Sequence, residues 1–213
     1  MSAPTISTRV VSVDPVQPDR AVMRAAGALV EAGGLVAFPT ESFYGLGADA
    51  LDPAAIARVF EVKGRPDDKP LLVLVDSIDM VTELAAAIPD GARALMARHW
   101  PGALTLVLRA AARVPAGLTG GTGTVGVRLP GHAVARALVA AAARPVTAPS
   151  ANPSAAPPPR TAEDVRGYFD GRVELILDGG TTLGGAGSTV ADCTVWPPRI
   201  LRQGPVIVEA PCG

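Results

Sequence analysis

Two groups of polar residues carry the chemistry that this sequence can offer, and the first is a cluster of cations. Lys63, Arg65 and Lys69 lie within seven residues, and Pro66 and Pro70 limit how far they can spread. These cations would repel one another unless an anion lay between them, and a guanidinium fork combined with ammonium groups suits a polyphosphate. The alternative is a solvated helix end, because cations are common at helix C-termini.

The second group is Ser150-Ala-Asn152, which lies in a proline-flanked loop. Its hydroxyl and amide could contact a ligand, although the same residue types also close turns. Other glycine- or proline-rich loops at predicted strand ends add hydroxyls and cations, namely Thr40, Ser42, Thr124, Arg128, Arg160, Ser188, Thr189 and Arg202. Open α/β sheets bind ligands at such positions, so the sequence predicts a polar binding site there.

Several better-known site types do not fit. Gly121–Gly126 matches the dinucleotide fingerprint by letter, but a strand follows it where the fingerprint needs a helix. The sequence contains neither a P-loop motif nor a nucleophile elbow. His99 and His132 have no carboxylate or thiol at metal-binding spacing, so we expect both to be structural and predict no protein-held metal.

Composition sets the outer limits. A chain of 213 residues with 48% hydrophobic content can bury a sizeable core. We expect one domain spanning 1–213, with its core at about 20–208 and with 1–18 and 209–213 peripheral. The net charge of -1 gives no overall attraction to nucleic acid or anionic membranes. Two cysteines, no membrane-length apolar segment and no signal-like start predict a cytoplasmic protein.

Strand-like and helix-like segments alternate along the chain, which predicts an α/β fold. Helix caps are expected at Asp19, at Asp52 before Pro53, and at Thr161 with Asp164, and Gly64 is a natural helix end. Helices are also predicted at 89–99 and 133–143, and a loop at 39–47. Strands are predicted at 35–38, 71–75, 104–108, 125–129, 145–148, 173–177, 188–192, 199–201 and 206–208.

A set of short motifs runs along the chain, with PTESFYGLG at 39–47, KGRP at 63–66, KPL at 69–71, WPGALT at 100–105, VRLPGH at 127–132, APSAN at 148–152, STV at 188–190 and LRQG at 201–204. Through these motifs the chain resembles the YrdC/TsaC family of threonylcarbamoyl-adenylate synthases from about residue 20 to 208. The order and spacing of the Lys-x-Arg and Ser-x-Asn elements are specific in combination, although each alone would be weak.

The resemblance implies a fold and a reaction. The expected fold is a twisted, open mixed sheet flanked by helices, with a concave ligand-binding face. The expected enzyme is a nucleotidyltransferase that converts ATP, L-threonine and bicarbonate or CO2 into threonylcarbamoyl-AMP and pyrophosphate, with magnesium carried by ATP. Its product would pass to transferase proteins that modify tRNA, and a weak direct RNA contact is compatible with the family.

The resemblance also implies roles for individual residues. Lys63, Arg65, Ser150 and Asn152 would be the catalytic set. Arg128 would pair with the threonine carboxylate, and Ser188 with Thr40 or Ser42 would contact the rest of that amino acid. The expected ATP contacts are Arg65, Lys69, Thr124, Ser150 and Arg202.

The chain departs from the family pattern in two places. Leu74 stands where some members have a histidine near the threonine pocket, and Ala155 stands where many have glycine. The chain also ends soon after Arg202, which implies the short form of the family. Two alternatives therefore stay open: a paralogue that uses carbamoyl-adenylate chemistry on another amine or acceptor, and a non-catalytic RNA-binding module.

Overall fold

The computed structural model describes residues 6–64 and 69–208. Within them the chain forms seven helices and ten strands. The helices are α1 (Arg20–Glu31), α2 (Pro53–Lys63), α3 (Ile78–Leu84), α4 (Asp90–His99), α5 (Ala116–Thr119), α6 (Ala133–Ala142) and α7 (Ala162–Phe169). The strands are β1 (Arg9–Ser12), β2 (Val36–Pro39), β3 (Tyr44–Gly47), β4 (Leu72–Leu74), β5 (Leu104–Arg109), β6 (Thr124–Arg128), β7 (Val146–Thr147), β8 (Leu175–Asp178), β9 (Thr189–Asp192) and β10 (Arg199–Arg202).

The strands form two mixed sheets. The first has the order β1-β8-β2-β3, in which only the β2–β3 pair is antiparallel. The second has the order β10-β9-β5-β6-β4-β7 and alternates antiparallel and parallel pairs. The predicted α/β class with mixed pairing is confirmed, and the strands are divided between two sheets rather than placed in one.

The two sheets meet along β3 and β7. Gly45 forms an antiparallel bridge with Ser150, and Asp49 forms one with Val146. Gly47 faces this seam, and a Cβ atom there would lie 2.9 Å from both Phe38 and Val146. Close approach of the two sheets therefore requires glycine at this position. This approach also brings together the loop that follows β2 in the first sheet and the loop that follows β7 in the second.

The predicted helix caps are confirmed. The Asp19 side chain accepts hydrogen bonds from the first turn of α1, and Asp52 accepts one from Ala54 N at 2.8 Å. Gly64 ends α2 in the left-handed conformation, with φ of 55°. Thr161 and its partner three residues on make both hydrogen bonds of a capping box at α7. These local signals are strong because each satisfies backbone groups that a helix end leaves without partners.

Helices α1 and α6 lie against each other at very short range. A Cβ atom on Gly27 would lie 2.5 Å from the backbone carbonyl carbon of Ala141, so only glycine permits this contact. Ala26 and Val30 on the same helix are fully buried. Small residues on α1 thus permit close packing of the two helices.

The sequence-based assignment was wrong in two segments and missed three elements. Residues 44–47 were predicted as loop but form β3, because burial between its neighbours outweighs the low strand propensity of its two glycines. Residues 206–208 form no strand, since Val206 bonds through N and O to the Thr189 hydroxyl. The missed elements are β1, α3 and α5, of which β1 lies in the stretch expected to be peripheral and forms the edge of the first sheet. In the described part of the chain, no helix is long and apolar enough to cross a membrane.

Candidate active site

A cavity of about 460 Å³ opens beside the seam between the two sheets. It is lined by loops that follow β2, β7 and the glycine-rich segment before β9, and by residues at the ends of β4, β6 and β10. Its lining residues are Thr40, Ser42, Phe43, Tyr44, Gly45, Pro70, Leu72, Leu74, Arg128, Ala148, Pro149, Ser150, Pro158, Gly185, Ala186, Gly187, Ser188 and Arg202. Six of the residues predicted for the site therefore come together in one cavity, namely Thr40, Ser42, Arg128, Ser150, Ser188 and Arg202.

Ser150 is held at the cavity wall by the backbone and by a buried lysine. Pro149 O accepts a hydrogen bond from Leu46 N at 2.8 Å, which fixes the loop to β3. Lys63 is only 3% exposed, and its Nζ donates to Ser150 O at 2.5 Å and to the carbonyl of Asn152 at 2.6 Å. Lys63 does not line the cavity, so its contacts described here position the Ser150 loop.

Asn152 also acts within the loop. It is 7% exposed, and its Nδ2 donates to Pro153 O at 3.0 Å and to Ala156 O at 2.7 Å. Its Oδ1 is buried and has no hydrogen-bond partner. The amide therefore closes the turn after Ser150, which is the turn-closing role that its residue type allows, and it leaves one acceptor unused.

Arg128 is a buried cation at the end of β6. It is 4% exposed, and its Nε donates to Gly102 O at 2.8 Å. Its Nη2 lies 2.6 Å from Glu41 Oε1, an ion pair whose angle does not satisfy the geometry of a hydrogen bond. Burial opposes ionisation of Glu41, but the Arg128 charge and the amide of Gly131 outweigh it, so the pKa of Glu41 is lowered. Glu41 is therefore a carboxylate.

Arg202 provides the second guanidinium of the cavity. Its Nε donates to Ser188 O at 2.9 Å and its Nη2 to Ser188 Oγ at 3.1 Å. Burial lowers the pKa of Arg202, and the positive charge of Arg128 acts in the same direction. Ser188 Oγ also lies 2.8 Å from Thr105 Oγ1 in the interior of the second sheet. Two guanidinium groups thus face one cavity, and this arrangement attracts anions.

The hydroxyl residues Thr40 and Ser42, in the turn between β2 and β3, also line the cavity. Thr40 Oγ1 donates to Phe43 O at 2.6 Å and so closes the turn between β2 and β3. Ser42 O accepts from Gly184 N at 2.7 Å, which ties this turn to the glycine-rich segment. The amides and hydroxyls of both segments therefore surround the same space.

Thr124 lies in a neighbouring cavity of about 330 Å³ over the second sheet. Pro70, Leu72 and Arg202 line both cavities, so the two spaces adjoin at Arg202. The Thr124 hydroxyl pairs with Thr122 Oγ1 at 2.9 Å. Lys69 is exposed next to Pro70, and Arg65 lies outside the described residues.

The histidines and Cys193 lie outside this cavity. His99 Nε2 and His132 Nδ1 are buried without hydrogen-bond partners, and burial lowers the pKa of His132. Cys193 is buried, and burial raises the pKa of its thiol to about 11. Among residues 6–64 and 69–208 no group of three His, Cys, Asp or Glu side chains is placed to hold a metal.

The family follows from comparison with known sequences. The Sua5/YciO/YrdC family model, which carries the description "Telomere recombination", matches residues 28–204. The chain belongs to this family. A Pyrococcus abyssi protein named threonylcarbamoyl-AMP synthase is 49% identical over 88% of this chain and 55% of its own length. A Bacillus subtilis protein of the same name is 44% identical over 86% of this chain and 54% of its own. The chain thus spans about half the length of these curated relatives.

Solved structures of family members share the fold. Pyrococcus abyssi Sua5 complexed with L-threonine matches with a TM-score of 0.87 and 46% identity, over 91% of this chain and 57% of that one. Escherichia coli YciO matches with a TM-score of 0.85 and 25% identity, over 95% of this chain and 98% of that one. The predicted family and fold are confirmed.

Sequence reasoning missed Glu41 as a member of the site. The sequence indicates Glu41 only as part of the motif at 39–47, because a single carboxylate between Thr40 and Ser42 has no spacing signal of its own. Its partner Arg128 is 87 positions away, which follows from the two residue numbers. A buried arginine in a strand does signal that some carboxylate must face it, but only the fold identifies which one.

Proposed function

We propose that this protein is a threonylcarbamoyl-AMP synthase, an enzyme that condenses L-threonine, bicarbonate or CO2, and ATP. The observation that carries the proposal is the cavity that Arg128 and Arg202 line from separate strands, together with Thr40 and Ser42. Such a site can bind two anionic substrates side by side. The names of the relatives and the threonine complex of Pyrococcus abyssi Sua5 support this chemistry.

The proposed reaction requires no protein nucleophile. The amine of threonine adds to the carbon of CO2 and loses a proton, which gives a carbamate; when bicarbonate is the source, a water leaves. A carbamate oxygen then attacks the α-phosphorus of ATP, and the bond to the β-phosphate oxygen breaks to release pyrophosphate. Positioning and neutralisation of charge supply most of the acceleration in such transfers.

In this proposal Arg128 binds the threonine carboxylate. The Nε and Nη2 contacts to Gly102 O and Glu41 occupy one edge of its guanidinium, and among the described residues Nη1 donates no hydrogen bond. The free edge can form the paired contact that carboxylates prefer. Ser188, Thr40 and Ser42 then surround the rest of the amino acid.

ATP would bind toward Arg202, where the two cavities adjoin. Arg202 and Ser150 would contact phosphate oxygens, and Thr124 lies along the continuing apolar cavity that could take the base. Lys69 and Arg65 are further proposed ATP contacts, and Lys63 and Asn152 would support the Ser150 loop. The cations and hydroxyls around the cavity suit magnesium bound to ATP phosphates and water better than magnesium held by a protein carboxylate cluster. We further propose that the product serves tRNA modification in the cytoplasm through downstream transferase proteins.

The test is pyrophosphate release by purified protein with ATP and bicarbonate, comparing L-threonine, L-serine and no amino acid. Arg202→Ala should lower kcat/KM for ATP by about 10- to 100-fold, as expected for loss of a charge-assisted contact. Arg199→Ala is the matched control, because Arg199 lies on the same strand, is 70% exposed and pairs with Asp192 at 3.1 Å. We expect it to stay within about twofold of wild type.

The outcomes separate the alternatives. Release that requires threonine and falls in Arg202→Ala supports the proposal. Release with a different amine would show that this amine, and not threonine, is the substrate. Leu74, which is buried in the cavity wall, would then be the first residue to substitute in a test of selectivity. No release with any amino acid would refute the proposed enzyme and favour a binding role.

A further inference from the structure

Glu41 is the one carboxylate that contacts either guanidinium of the cavity among the described residues. Its Oε1 lies 2.6 Å from Arg128 Nη2 and accepts a hydrogen bond from Gly131 N at 2.6 Å. Its Oε2 is buried and has no hydrogen-bond partner. Burying a carboxylate oxygen without a hydrogen-bond partner costs free energy, so the interactions of Oε1 must offset that cost.

The Arg128 contacts share one edge of the guanidinium plane. Nε and Nη2 form the side edge of an arginine, and these two nitrogens face Gly102 O and Glu41. Among the described residues Nη1, at the end of the fork, donates no hydrogen bond, and Arg128 lines the cavity. If the Glu41 charge were removed, Gly102 O alone would hold the side edge, and the repulsion from Arg202 would remain.

From this arrangement we infer that Glu41 is a positioning residue: its carboxylate fixes the plane of Arg128 so that the free end of the guanidinium meets an incoming carboxylate substrate. Glu41 itself need not touch the substrate. The identity of that substrate as an amino acid rests on the proposed function, whereas the hold on Arg128 is a property of the protein alone.

Glu41→Gln tests the inference, because glutamine can still accept the bond from Gly131 N through its remaining oxygen, while it loses the charge and carries an NH2 group in place of the other oxygen. We expect the KM for L-threonine to rise about tenfold or more while the KM for ATP stays within about twofold, since misplacing one orienting group weakens only the substrate that it orients. The hydrogen exchange of the Arg128 Nε–H, followed by NMR and assigned through Arg128→Lys, should become about tenfold faster.

Glu174→Gln is the matched control. Glu174 also combines an ion pair, with Arg58 at 2.8 Å, and an accepted backbone bond, from Leu35 N at 2.7 Å, but it does not line the cavity. A loss of stability alone would appear in both variants, whereas the threonine-specific change and the faster Arg128 exchange should appear only in Glu41→Gln.

Two results would overturn the inference: unchanged Arg128 Nε–H exchange in Glu41→Gln, or an unchanged or lower threonine KM in that variant while the wild type uses threonine. A wild type that shows no threonine-dependent turnover would instead refute the proposed function, and the exchange measurement would still decide the role of Glu41.

Discussion

Replacing Lys63 by methionine should destabilise the whole protein as well as impair the cavity. The Lys63 ammonium is buried and donates to the carbonyls of Ser150 and Asn152, 87 and 89 positions along the chain. Methionine fills a similar volume but donates no hydrogen bond, so the Asn152 carbonyl would lose the donor described here. Lys63 thus ties the end of α2 to the loop that follows β7.

The magnitude follows from the two bonds. Hydrogen bonds to a charged group contribute roughly 1.5 to 3 kcal/mol each, so the pair contributes about 3 to 6 kcal/mol. Part of this is offset because methionine does not have to be desolvated as an ion. We expect the free energy of unfolding to fall by about 3 kcal/mol and Tm by about 6 to 12 °C for a chain of this size.

Urea and thermal unfolding followed by circular dichroism measure this loss. Lys69→Met is the control, because Lys69 is exposed and should cost less than about 0.5 kcal/mol. If Lys63 served only as a contact to a bound phosphate, Lys63→Met would weaken ATP binding and leave the free energy of unfolding within about 1 kcal/mol of wild type. That result would refute the structural role argued here.

Two further substitutions test local interactions. Tyr44→Phe removes a hydroxyl that donates to Gly180 O at 2.7 Å and has Asp178 Oδ1 as a longer second partner at 3.5 Å. The free energy of unfolding should fall by about 1 kcal/mol in urea unfolding, since the exposed Gly180 carbonyl can bind water instead, and a loss above about 3 kcal/mol would contradict this account. Asp164→Asn tests the capping box. The backbone hydrogen bond from Arg160 and the bonds with Thr161 lower the pKa of Asp164 below its usual 3.8. The charge of Asp164 therefore stabilises the fold above about pH 4, and this contribution is lost as the pH falls through the lowered pKa. The stability difference between wild type and Asp164→Asn should therefore be smaller at pH 3 than at pH 6, and an equal difference at both would show that the charge is irrelevant.

The features that the sequence predicted well are those that depend on neighbouring residues. Asp19, Asp52 with Pro53, and Thr161 each cap a helix through contacts within three positions, so local reading suffices. β3 could not be predicted this way, because its strand geometry comes from burial between β2 and the second sheet.

The same distinction applies to the cavity. The loops that supply Ser150, Ser188 and Arg202 could be identified by their residue types, and the structure brings them together. The position of Lys63 in a run of cations suggested a direct phosphate contact. It did not indicate that Lys63 donates hydrogen bonds to the Ser150 loop. Pairings such as Glu41 with Arg128 join distant positions, and they require the sheet order to be known.

The charge of the cavity is independent of the charge of the chain. The formal net charge is -1, yet Arg128 and Arg202 face one space in which Glu41 is the only carboxylate paired with either of them among the described residues. Partial burial and, less strongly, the positive charge of Arg128 lower the pKa of Arg202, so both disfavour the charged form of its guanidinium. An anion in the cavity favours the charged form. The cavity therefore favours ligands that carry negative charge, whatever the net charge of the chain.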